Sequence, residues 1–248
     1  MIRFLSVLDR LMHALTETSR RGSVRAKLMA TLFVAQVCGS TGQAVGMAVG
    51  AIMAASITGT NTWSGVPIAV GALGTALASW PLARLMARSG RRPGLALGYG
   101  LATIGAVLGL LGMAARSFTL MLIGMALFGI ASTSNLLARY AAADVSPAAH
   151  RGRAMGLIVW GSTVGSIIGP NLMAPAIRLG AWISVPGPAS AFLVSVAAYA
   201  VAALLTFCFL RPDPLVIARQ DQAAAQSRAG SHEEKPAKML LPHGIFAE

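Results

Sequence analysis

Six stretches of the 248-residue chain are apolar and long enough to cross a membrane: 28–57, 66–86, 95–114, 118–138, 154–177 and 190–210. A helix of about 20 residues spans the roughly 30 Å hydrocarbon layer. Inside lipid every backbone N–H and C=O must be bonded within the protein, which leaves helices or closed barrels. Six such runs predict an all-α fold: a polytopic membrane helical bundle of six transmembrane helices. Composition agrees, with 55% hydrophobic and 11% charged residues. About a quarter charged is usual for a soluble domain, so the bilayer is the natural solvent for this chain. Pro81 and Pro170 fall inside runs, where neighbouring helices can satisfy the freed backbone groups.

The charges between the runs predict an orientation. Lys and Arg sit before the first run (Arg3, Arg10, Arg20, Arg21, Arg25, Lys27), at the end of the second and beyond it (Arg84, Arg88, Arg91, Arg92), after the fourth (Arg139, Arg151, Arg153) and after the sixth (Arg211, Arg219, Arg228, Lys235, Lys238). The other connections hold Arg116 and Arg178 alone. Eighteen against two is a strong bias, and basic loops stay on the cytoplasmic side. Both termini are therefore expected in the cytoplasm, in a multi-pass protein of the plasma (inner) membrane. The net charge of +12 follows from the same loops, and nucleic-acid binding is not inferred from it.

Three regions result. Residues 1–27 form a cytoplasmic segment in which Phe4, Leu5, Leu8, Leu11, Met12 and Leu15 recur at helical spacing. That stripe fits an amphipathic helix lying on the membrane surface, with a frayed tail as the alternative. Residues 28–210 are the six-helix domain. Residues 211–248 open on Arg-Pro-Asp-Pro and turn polar and Ala/Gln-rich, which predicts a flexible cytoplasmic tail.

Catalysis is not expected. An intramembrane serine protease needs a histidine base within the bilayer, and His13, His150, His232 and His243 all lie outside the runs. No Asp, Glu, His, Lys or Arg falls near the middle of any run, so no proton relay is legible. Cys38 and Cys208 form neither a disulfide framework nor a closely spaced ligand set, so no metal or cofactor is expected. A permease subunit driven by a separate ATPase is also six-span, but the chain has no P-loop.

Two stretches rise above a generic membrane protein. Between the second and third runs stands Leu85-Met86-Ala87-Arg88-Ser89-Gly90-Arg91-Arg92. In the fifth run Gly156, Gly165, Gly169 and Pro170 form a G-x8-G-x3-G-P pattern. Gly161, Gly165 and Gly169 fall four apart on one face, where small residues let helices approach closely, and Pro170 kinks the helix. The first stretch resembles the loop motif G-x-L-A-D-R-x-G-R-R of the major facilitator superfamily, matching at Leu85, Arg88, Gly90, Arg91 and Arg92. Ala87 stands where that motif has its aspartate. The second is similar to the fifth-helix motif of the same family's antiporters. A basic turn around Asp144 and His150-Arg151-Gly152-Arg153 supports the match, with Asp144 free to pair with Arg139 or Arg151. Met125 replaces the arginine that many proton-coupled members carry in the fourth helix.

The resemblance implies a transporter that moves a small organic solute by efflux or exchange. It covers one six-helix half of a fold in which solute binds between two halves. The expected partners are the lipid bilayer, the solute and a second six-helix half, supplied by a homodimer or a separate chain. A non-transporting truncated protein or assembly partner is the alternative. The family's first and fourth helices face the cavity, which makes Gln36, Gln43 and Asn135 candidates for its lining, with Asn171 beyond the fifth-helix proline. The same residues could equally hydrogen-bond between helices.

Overall fold

A computed structural model describes residues 2–182 and 187–233, with side chains chiefly between 22 and 226. The described residues are helical, joined by short turns, and contain no strand. Eight helices follow in order: α1 (Ile2–Thr58), α2 (Val66–Ser89), α3 (Arg91–Ala114), α4 (Phe118–Phe128), α5 (Ile130–Val145), α6 (Arg151–Trp182), α7 (Gly187–Phe209) and α8 (Pro214–Glu233). Among the described residues, six helical stretches are long and apolar enough to cross a membrane. They follow the six predicted runs, with α4 and α5 together making the fourth.

The fourth crossing is broken at Gly129, where a one-residue turn separates α4 from α5. The break is closed by α2. Thr75 donates its hydroxyl to the Gly129 carbonyl at 2.7 Å, and Thr133 donates to the Thr75 carbonyl at 3.0 Å. The Gly129 carbonyl also accepts the Ser132 N–H at 3.0 Å, so the threonine adds a second bond that ties the break to α2.

Packing is centred on α1, which lies against α6 and α7, while α3 lies against α4 and α7, and α2 against α4 and α5. Lipid is as apolar as leucine, so close contact rather than water exclusion holds such helices together. The α1–α6 seam uses the predicted glycine face. Gly161 abuts the Phe33 ring, Gly165 abuts the backbone of α1 at Val37 and Thr41, and Gly169 abuts Thr41 and Ala44. On its opposite side α1 turns Gly42 toward the Tyr199 ring and Gly46 toward Phe128. Phe128 in turn lies 5.1 Å from Tyr199 and 5.7 Å from Phe192, forming a buried aromatic cluster.

Two expectations differ from the structure. The chain after Leu210 is not irregular throughout: α8 folds back against the end of the bundle that carries the Gly90 turn. Asp213 explains why. Its carboxylate accepts the α8 N–H of Leu215 at 2.8 Å and also the α3 N–H groups of Arg91 and Arg92 at 3.0 and 2.8 Å. One side chain thus caps two helix N-termini, where a negative charge is favoured. The Ala/Gln-rich composition that predicts flexibility is also good helix-forming composition. The rest of the expected tail, 234–248, lies outside the described residues. At the other end α1 is continuous from Ile2, and the apolar stripe of residues 4–15 lies outside the described side chains.

The second difference concerns Asp144, which pairs with neither Arg139 nor Arg151. Its carboxylate meets the Arg91 Nε–H at 2.7 Å.

Candidate functional site

Between α1, α5 and α6 lies a cavity of about 390 Å³. Gln36, Ser40, Gln43, Ala44 and Met47 line it from α1; Ser132, Asn135, Leu136 and Arg139 from α5; and Ser162 and Ser166 from α6. It reaches the outside of the bundle, since Met47 and Leu136 in its wall are 40% and 46% exposed. The helical period explains the grouping. Residues 36, 40 and 43 share a face of α1, and 132, 135, 136 and 139 share a face of α5.

Two sets of hydrogen bonds form the wall. Tyr99 donates its hydroxyl to Asn135 Oδ1 at 2.9 Å. The Asn135 amide donates to Gln43 Oε1 at 3.1 Å, and the Gln43 amide donates to the Ser132 hydroxyl. On the α6 side the Gln36 amide donates to Ser162 Oγ at 2.7 Å. Each interhelical bond of this kind is worth about 0.6 kcal/mol, at most about 1.7. The network therefore fixes side-chain positions more than it stabilises the fold. The Gln43–Ser132 bridge also divides two spaces. A second cavity of about 230 Å³ lies on its α2 side, lined by Pro67, Ile68, Gly71, Thr75, Met125 and Phe128 among others.

Of the candidate lining residues, Gln36, Gln43 and Asn135 come together here, each hydrogen-bonded to a neighbouring helix and each in the wall of this space. Asn171 does not join them. It is exposed on α6, and its amide donates to the Ile167 carbonyl one turn back at 2.7 Å. That bond lies beside Pro170, which cannot donate one itself.

The loop motif lies elsewhere, at the bundle end where α2, α3, α5 and α8 meet. Gly90 takes a φ of 110°, a region that side chains rarely adopt. The Asp213 carboxylate occupies the space a Cβ would need. Arg91 bonds Asp144. Arg92 donates from Nε to the Phe207 carbonyl at 2.8 Å and stacks 4.9 Å over the Phe207 ring. Arg88 is exposed and Leu85 half-buried. In the fifth-helix motif Gly165 and Gly169 sit in the α1 seam, Gly156 has open space beside it, and Pro170 is exposed.

Two site residues escaped the sequence reading. Tyr99 is fully buried and holds Asn135 in place. A lone tyrosine in a glycine-rich run, needing a partner for its hydroxyl, was the available signal. Arg139 was counted with the loops, but α5 continues to Val145 and places Arg139 inside the fourth crossing, in the cavity wall. Its spacing of four from Asn135 and seven from Ser132 was the signal. Arg139 lies near the end of that crossing, so the middle of each run stays free of charge as expected.

Comparison with known proteins follows the same outline. The family model of the Major Facilitator Superfamily matches residues 28–243. Two uncharacterized MFS-type transporters of Bacillus subtilis (strain 168), YdeG and YddS, are 33% and 31% identical over 210 and 198 residues, which cover 85% and 80% of this chain. Those alignments cover 49% and 45% of the relatives, so the chain spans about half the length of the curated relatives it matches. The riboflavin transporter RfnT of Brucella anthropi is 26% identical over 142 residues, 57% of this chain and 36% of its own. With six membrane-crossing helices, the matching loop and fifth-helix motifs, and a family match over most of its length, the chain belongs to the Major Facilitator Superfamily.

Proposed function

We propose that this chain is a six-helix unit of a solute transporter, moving a small organic molecule by efflux or exchange through the space between α1, α5 and α6. The observation that carries the reading is the cavity itself: three helices direct Gln36, Gln43, Asn135, Ser132 and Ser162 to one hydrogen-bonded wall that reaches the outside of the bundle. Gln36 Oε1 and Arg139 Nε, buried without a hydrogen-bond partner, would be costly beside hydrocarbon, at several kcal/mol each. A second six-helix unit, from a longer form of this chain, a second copy or a separate chain, would cover that face and close the cavity between halves. The relatives' names as transporters, one of them for riboflavin, support a small organic solute. The unit sits in the plasma membrane with the Gly90 turn, α8 and both termini on the cytoplasmic side, as the basic-residue bias requires.

Crosslinking and sizing the protein in its native membrane, together with a solute-flux assay on the same vesicles, tests this. A species containing two six-helix units that moves solute is expected. A stable lone unit with no flux would contradict the proposal. It would favour a non-transporting membrane protein or assembly partner, the reading that the half-length match to the relatives also allows.

A further inference from the structure

Among the described residues, Arg139 is a cation without a counter-charge. It is half-buried, and its Nε is wholly buried with no hydrogen-bond partner. Of the other arginines at this end of the bundle, Arg25 bonds Asp221 at 2.8 Å, Arg91 bonds Asp144 and Arg92 bonds the Phe207 carbonyl, while Arg88, Arg151 and Arg153 are exposed. Asp144, five residues along the same helix, is therefore already taken. Among the described residues, no acidic side chain lines the cavity. The remaining polar wall is neutral and largely bonded to itself, apart from Gln36 Oε1, a buried acceptor without a donor.

A guanidinium keeps its charge at any relevant pH and offers five N–H donors in a planar fork that matches a carboxylate or phosphate. Left unpaired inside a membrane span it is costly, and such residues usually mark a solute or ion path. We propose that Arg139 binds the oxyanion group of the solute, so that the molecule carried is a small organic anion. The inference rests on the transporter reading above and narrows its solute class. The cavity volume of about 390 Å³ suits a small molecule. Leu136, Met47 and Ala44 give its body an apolar wall, and Gln36 Oε1 gives a hydroxyl or N–H on that body an acceptor.

The test uses the protein in its native membrane with whatever unit covers it, and follows thermal unfolding with three probes: 4-hydroxybenzoate, its uncharged amide 4-hydroxybenzamide, and phenyl phosphate. Ligand that binds the folded state raises the unfolding temperature in proportion to its affinity. The expected result is a rise with 4-hydroxybenzoate, none with the amide, and at least tenfold weaker binding of the acid in Arg139→Gln. Phenyl phosphate acting in place of the benzoate, with the same loss in Arg139→Gln, also supports the site and assigns the group as a phosphate. Equal responses to acid and amide, responses unchanged in Arg139→Gln, or no response to either anion would overturn it. The last is expected if an acidic side chain of a covering unit already occupies Arg139. Should Arg139→Gln fail to fold, Arg139→Lys carries the test: it keeps the charge but not the fork, and must weaken the acid without changing the amide. Charge-selective binding without flux would sink the transporter reading and leave this site. Flux of the amide with no charge preference would do the reverse.

Discussion

A methyl group added at Gly165 would run into the Val37 carbonyl of α1, whereas one added at Gly156 would meet nothing within 4 Å. The two positions belong to the same motif, so geometry predicts opposite outcomes for one substitution. Gly165→Ala should destabilise the bundle by about 1–3 kcal/mol, the usual cost of overpacking. Gly156→Ala should leave it unchanged, or stabilise it by up to about 1 kcal/mol, since alanine is the better helix former. Reversible unfolding in micelles measures both, and equal effects would contradict the α1–α6 seam. Individual residues were unevenly legible in the sequence. Gly161, Gly165 and Gly169 announced a seam by spacing alone, because a helix face is fixed by period. The partner of Asp144 was not legible, because Arg91 lies 53 positions away and only the fold brings them together. Arg139 was missed for a different reason. The apolar run closes at Ala138, just before the charge, while the helix ends where its caps and turn residues put it, here at Ser146-Pro147.

The Asp213 carboxylate ties α8 to α3, and Arg219 adds a donor to the Ala87 carbonyl at 3.3 Å. Replacing Asp213 by alanine strips N–H acceptors from two helices and should cost about 1–2 kcal/mol. The released α8 should then be cut faster by trypsin at Arg219. Unchanged cleavage would mean that the cap does not hold the helix. Within the arginine loop the structure separates roles that the sequence left merged. Arg91→Gln abandons Asp144 and should lower the yield of folded protein, at about 1–3 kcal/mol for a group left unsatisfied. Arg88→Gln breaks no bond among the described residues and should leave the yield near normal. Fluorescence-detected size exclusion of the two variants compares them directly, and equal losses would argue that the loop acts through charge count alone. Helices at this scale were legible wherever hydropathy decides. Those decided by tertiary capping, α8 and the Gly129 break, were not.

As a whole, the molecule is a bundle whose apolar crossings could be counted from sequence, because lipid admits few alternatives to a 20-residue apolar helix. The site was half legible: Gln36, Gln43 and Asn135 share faces by spacing, but their union across α1 and α5, and the place of Tyr99 and Arg139 beside them, needed the fold. Orientation is predicted by the basic-residue bias, so reporter fusions at Asn61 should read outside and fusions at Gly90 inside the cell; an outside reading at Gly90 would overturn it. The central claim is that the space between α1, α5 and α6 is a solute path rather than a lipid-filled crevice. Cysteine labelling tests it most directly. In a background with Cys38 and Cys208 replaced, Ser166→Cys in the cavity wall and Ile104→Cys on the exposed face of α3 are treated with a membrane-impermeant maleimide in intact cells and in inverted vesicles. Maleimide reacts with the thiolate, which forms only where water reaches. Ser166→Cys should be labelled, from one side or both, while Ile104→Cys should not. A Ser166→Cys protein that stays unlabelled from both sides would contradict it.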